Sequence, residues 1–136
     1  MIRRLIEPEE VALIIGISDD VEERYSCTRG EWVQMLVSIC SDPRIFIIGA
    51  FDLDNNMVGY AFCQSYVSPP ISNGVHIIYA YSPDNEEDNE LAMLEIKNWA
   101  KELGANKISA TTKNSEVLLG KYGFKESEFK ILEIDL

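Results

Sequence analysis

The densest run of ionisable side chains is Asp84-Asn85-Glu86-Glu87-Asp88-Asn89-Glu90, with five acids and no base. Carboxylates so placed can cap the start of a helix, where free N–H groups and the dipole favour negative charge. They can also form a recognition patch for a basic partner. A divalent-cation site would need a spacing such as Asp-x-Asp-x-Asp-Gly, which is missing. His76 is the one histidine, set in the apolar stretch Val75-His76-Ile77-Ile78-Tyr79-Ala80-Tyr81. An imidazole there is either a packed or surface side chain or a general base with a pKa near neutrality. Tyr60, Tyr66, Tyr79 and Tyr81 could line a cleft, although strand tyrosines mostly pack across strands. Cys27, Cys40 and Cys63 lie far apart with no C-x-x-C, and His76 has no companion ligand, so no metal site is expected and the thiols read as small packing residues.

The chain has 136 residues, one domain on the usual size prior, and 46 % of them are hydrophobic, enough for a packed core. No apolar run reaches the ~18 residues that span a bilayer. Glu7, Glu9 and Glu10 follow the opening Met1–Ile6 at once, which argues against a secretory leader. The odd thiol count then fits a cytoplasmic setting. A net charge of −11 disfavours nucleic acid and anionic membranes as partners, and permits a basic protein partner or self-association.

These residues need elements to hold them. A short strand is expected over 1–6, then a helix from Pro8 to about Gly16 with Pro in its first turn, and a second helical stretch over 18–25. Trp32, Val33, Leu36, Val37 and Cys40 recur as one stripe of a helix over 29–41. Residues 45–51 are too continuously apolar for a one-faced strand and read as central. Asp52-Leu53-Asp54-Asn55-Asn56 is turn chemistry, so 45–67 forms a hairpin. Residues 75–81 make a third strand on which His76, Ile78 and Ala80 should share a face. A helix over 86–103 follows, with Ala92, Ile96, Trp99, Ala100 and Leu103 inward and Gly104 as its C-cap. A strand over 107–112, a short helix over 114–121 and a last strand over 124–136 complete the order. The strand–helix–strand unit at 75–112 demands a parallel crossover. The expected fold class is α/β (α+β): a single domain over 1–136, a mixed sheet with helices on both faces.

This order and four phrases resemble the GNAT superfamily of N-acetyltransferases. The phrases are Asp54-Asn55-Asn56-Met57-Val58-Gly59-Tyr60-Ala61, Tyr81-Ser82-Pro83, the passage Trp99 to Ile108 around Gly104-Ala105, and Lys121-Tyr122-Gly123-Phe124. The resemblance covers 44–124 well and the first 43 residues by element order alone. It implies that acetyl-CoA would lie between the splayed strands at 75–82 and 107–112, along Tyr79, Ala80 and Tyr81. The pyrophosphate would lie on the loop entering the next helix, since helix N-termini attract anions.

The chain departs from that pattern at the loop. Counting from Pro83, the family's Arg position falls on Glu86, its neighbour on Glu87, and the two glycines on Asn89 and Leu91. Carboxylates there repel a pyrophosphate by about 1 kcal/mol per close pair in water. The tyrosine that many members use to protonate the leaving thiolate is replaced by Leu119. Tyr122 is near, at a position that normally packs inward, and His76 and Tyr122 remain the weak catalytic candidates. Two readings therefore stand. In the first, the protein has lost acetyl transfer, needs no cofactor, and acts as a binding or structural component, as in some small eroded phage or mobile-element products. In the second, it is an active N-acetyltransferase that moves an acetyl group from acetyl-CoA to a basic amine.

Overall fold

Seven successive residues, Ile45–Phe51, are buried on both faces, which is possible only if layers cover the strand on either side. The computed structural model describes residues 1–68, 72–81, 86–111, 121–127 and 132–136, and among these it forms that sandwich. The strands are β1 (Ile2–Arg4), β2 (Ile45–Phe51), β3 (Met57–Ser68), β4 (Ser72–Tyr81) and β5 (Lys107–Ala110), lying in the order β1-β2-β3-β4-β5. The first three pairings are antiparallel and β4–β5 is parallel, as a helical crossover requires.

Helices α1 (Pro8–Ala12), α2 (Val21–Tyr25) and α3 (Arg29–Ile39) precede the central strands, and α4 (Glu86–Glu102) makes the crossover. One core cluster joins Val11, Val21, Trp32 and Leu36 of the first three helices to Ile45, Ile47 and Phe62 on one sheet face. The other joins Met93, Ile96, Trp99 and Ala100 of α4 to Phe46, Ile48, Cys63 and Val75 on the opposite face. Thr28 and Glu31 satisfy each other's backbone N–H groups in a capping box that starts α3. Gly104, at φ +73°, ends α4. Its N–H bonds the Lys101 carbonyl and the Ala105 N–H the Ala100 carbonyl, the paired bonds of a Schellman close. In the β2–β3 turn Asp52 Oδ1 accepts from the N–H groups of Asp54 and Asn56, and Asn55 takes φ +62°.

Several expectations are corrected. The first strand is limited to residues 2–4. Val37 is 67 % exposed, because α3 turns Met35 and Ile39 towards the sheet instead. Leu103 lies past the end of α4 and is exposed, while Met93 takes a buried place. Residues 124–127 and 132–136 form no strand, and Leu132, Ile134 and Leu136 are exposed. The helix expected over 114–121 lies outside the described residues up to its last position, as does 128–131 of the final strand.

Candidate functional site

The site begins with a mismatch of counting between β3 and β4. Phe62 pairs with Tyr79 and the next residue, Cys63, with Ile77, so Ile78 is an extra residue in β4. A bulge of this kind bends its strand and resets the facial alternation. Ile78, Tyr79 and Tyr81 all pack against the cluster on the α2–α3 face, whereas Val75 and Ile77 belong to the α4 face. Ala80 therefore leaves the face of His76, contrary to the simple period of two, and lines a crevice on the other side. Tyr79 meets Trp32 edge-on at 5.4 Å between ring centres and Tyr25 at 4.6 Å.

The same bulge ends the β4–β5 ladder. The parallel register runs from Gly74↔Lys107 to Ile77↔Ala110 and stops there. Where the strands part, a crevice of about 300 Å³ opens, walled by Ile77, Ile78, Ala80, Ala110 and Thr111 of the sheet and Asp88, Asn89, Ala92 and Met93 of α4. Its lining is mostly apolar and includes the small side chains of Ala80, Ala92 and Ala110.

The acidic segment has two parts. Residues 82–85 fall outside the described residues, and Glu86 opens α4. In the first turns of the helix Glu87 points to solvent, Asn89 is half-buried against the crevice, and Leu91 is exposed. The residue that sequence reasoning passed over is Asp88. It lines the crevice at 8 % exposure, with its carboxylate 3.4 Å from the Met1 amino group, which also donates to the Phe51 carbonyl. Its sequence signal was only membership of an acidic run; the helix phase decides that this acid faces inward. Lys121 reaches Glu90 at 3.5 Å and sits 5.6 Å from the centre of the Tyr122 ring.

Tyr122 is half-buried, packs against the α4-side cluster and lines the crevice; Tyr60 and Tyr81, which belong to the cluster on the other face, line it too. The hydroxyls of Tyr60 and Tyr25 lie 3.0 Å apart. Leu119 lies outside the described residues. His76 is half-buried on the face opposite α4, with Nδ1 2.9 Å from Ser109 Oγ, and burial pushes its pKa below the ordinary 6.5. Tyr66 brings its hydroxyl to 3.5 Å from the same Ser109 oxygen. Cys63, buried in the core, has its thiol pushed up to about 12 by desolvation and is inert as a nucleophile. Among the described residues no three metal-ligating side chains cluster, and no helix is long and apolar enough to cross a membrane.

No family model matches the sequence, and no curated protein matches it either. Solved structures do match. A probable acetyltransferase superposes with a TM-score of 0.78 at 17 % identity, over 100 % of this chain and 97 % of its own. A predicted acetyltransferase from Clostridium acetobutylicum, solved with acetyl-CoA, gives 0.74 at 17 %, over 99 % and 95 %. A GNAT family acetyltransferase from Staphylococcus aureus gives 0.72 at 11 %, over 98 % and 97 %. Likeness at such identities establishes architecture and nothing finer. The chain has the GNAT fold.

Proposed function

We propose that the β4–β5 crevice receives the acyl-bearing arm of acetyl-CoA and that the protein transfers the acetyl group to a basic amine. The observation that carries this reading is the open split itself. The bulge at Ile78 ends the ladder at Ile77/Ala110 and turns Tyr79 into the opposite core, so a crevice walled by Ala80, Ala92 and Ala110 stays open beside α4. A narrow, apolar, preformed cleft suits a flexible chain with few polar atoms. A protein of similar fold was solved with acetyl-CoA.

The pyrophosphate end fits less well. Glu87, Asp88 and Glu90 stand in the first turns of α4, where the helix dipole would otherwise favour an anion. The affinity expected for acetyl-CoA is therefore weak, and the same charge attracts a cationic acceptor. One observation favours a second reading, in which transfer is lost and the acidic surface binds a basic partner or a second copy. Glu87 and Glu90 stand exposed on the first turns of α4, where a basic partner can reach them.

The deciding experiment titrates acetyl-CoA and CoA into the protein and into the Glu87→Gln/Asp88→Asn variant, by calorimetry and thermal shift. Saturable binding is expected, tighter by about tenfold in the variant, which corresponds to ~1.4 kcal/mol of relieved repulsion. Ligand at 100 times Kd should add ~2.7 kcal/mol of stability. Neither heat nor a shift at millimolar acetyl-CoA in both proteins would refute the transfer reading and leave the second.

A further inference from the structure

We infer that the crevice takes its acyl group from a thioester of pantetheine type, an arm that carries no phosphate, in preference to acetyl-CoA, and that the acids on the first turns of α4 set this preference. This rests on the acetyl-transfer function proposed above and names the class of its donor.

The crevice has an inner and an outer end. Ile77, Ala110, Met93 and Ile96 wall the inner end, where the β4–β5 ladder is still closed. Asp88, Asn89, Tyr81 and Thr111 wall the outer end, where the strands have parted. Between Asp88 and Ile96 the helix advances ~12 Å. The crevice volume of about 300 Å³ stands at the lower end of the ~300–1,000 Å³ usual for small-molecule pockets. That is room for an arm. A nucleotide attached to the arm would lie beyond Asp88, against the first turns of α4.

The crevice wall suits an uncharged chain. Ile77, Met93 and Ile96 offer apolar contact, and Asn89 and Thr111 supply the few polar atoms that an amide or hydroxyl needs. The outer end opposes phosphates. Glu87 and Glu90 are exposed there, and Asp88 forms part of the wall at 8 % exposure. The two described cations at this end are already engaged by acids, the Met1 amino group with Asp88 at 3.4 Å and Lys121 with Glu90 at 3.5 Å. A pyrophosphate would have to draw them away, and Asp88 would be left uncompensated in a largely buried place. The dipole at the helix start is worth roughly half a unit charge, and Glu87 alone opposes it with a whole one. An arm that ends in a hydroxyl meets none of this.

In the transfer the amine nitrogen bonds to the acyl carbon, and the C–S bond breaks with its electron pair on sulfur. The nitrogen loses one proton and the sulfur takes up one, so the products are an amide and the free thiol arm. No phosphate takes part in either change.

Calorimetry with three acetyl thioesters that share one arm tests the inference: those of pantetheine, 4′-phosphopantetheine and CoA. At low salt Kd should rise in that order, with acetyl-CoA bound roughly tenfold more weakly than acetyl-pantetheine, and about 0.5 M salt should close most of the gap. Glu87→Lys should tighten acetyl-CoA by roughly tenfold and move acetyl-pantetheine by less than about twofold. Ala92→Leu, which narrows the crevice, should weaken both, with circular dichroism and the urea midpoint showing that the variant is folded; Ala80→Val serves the same purpose from the sheet side. Thiol release in the presence of spermidine should rank the three donors in the same order by kcat/KM. Acetyl-CoA bound as tightly as acetyl-pantetheine at low salt, or a Glu87→Lys change that moves both alike, overturns the donor preference and leaves the transfer function standing. Saturable binding of none of the three, or unchanged binding of all three to folded Ala92→Leu and Ala80→Val, removes the crevice as the acyl site and both readings with it.

Discussion

Replacing Trp99 by alanine tests the packing that holds α4, and with it one wall of the crevice. Trp99 is 8 % exposed and stacks on Phe46 of β2, with ring centres 4.7 Å apart and planes 22° from parallel. An indole buries 150–250 Å². At about 25 cal/mol per Å² that is roughly 4–6 kcal/mol as an upper bound. Measured truncations of buried aromatics cost about 3–5 kcal/mol, the lower end applying where neighbours collapse into the gap. Here collapse is opposed by the sheet, whose β2 and β3 neighbours are pinned on both sides by ladders. The expected loss is therefore ~4 kcal/mol, a large part of the stability of a small domain. Reversible urea unfolding measures it, with an unchanged m-value showing that the two end states are the same. The Phe46→Ala and double variants complete a cycle whose coupling should be about 0.5–1.5 kcal/mol for the stacked pair. Leu94→Ala, on the exposed face of α4, is the control and should stay within about 0.5 kcal/mol. A Trp99→Ala loss below 1 kcal/mol would mean that the helix does not depend on this contact, and the account of the crevice wall would fail.

Two further outcomes follow from single residues. Gly104→Ala should cost about 1 kcal/mol in thermal unfolding, because φ is +73° and a Cβ would meet nothing within 4 Å, so the penalty is one of backbone alone; Gly16→Ala, equally open and without positive φ, should be near neutral. A cost for Gly16→Ala equal to that for Gly104→Ala would refute the backbone explanation. Burial lowers the folded-state pKa of His76 from 6.5, so the unfolded chain takes up the proton first as pH falls. That share of stability is complete above pH 6.5 and is lost below it, down to the folded-state pKa. Glu31 and Asp42 are held by their hydrogen-bond partners below ordinary values of 4.5 and 3.8 and act at lower pH. His76→Gln should flatten the slope just below pH 6.5, and identical slopes in urea midpoints for the two proteins would contradict the burial of the ring.

Much of the architecture was legible because it depends on local chemistry. The apolar run 45–51 demanded a strand covered on both faces, and it is buried throughout. The Asp52–Asn56 turn and the Gly104 stop each encode a hydrogen-bonded end that needs few distant residues. The parallel β4–β5 pair follows from a helix between two strands. The stripes on α3 and α4 were right in kind and wrong at their margins, at Val37, Met93 and Leu103, because which flank of a helix meets the sheet is set by how the helix docks.

The sequence by itself determined the kinds and order of the elements from β1 to β5 and the acidity of the crossover entrance. It could not show the extra residue in β4, because a bulge exists only as a difference in count between two paired strands. That single residue moved Ala80 to the crevice and Tyr79 to the core. Nor could it select Asp88 from five acids, or bring Tyr66, His76 and Ser109 together from three strands 10 to 43 residues apart. Periodicity reports how one segment relates to its own axis. Tertiary structure alone decides which segments stand side by side and in what register, and the candidate site is made of those relations.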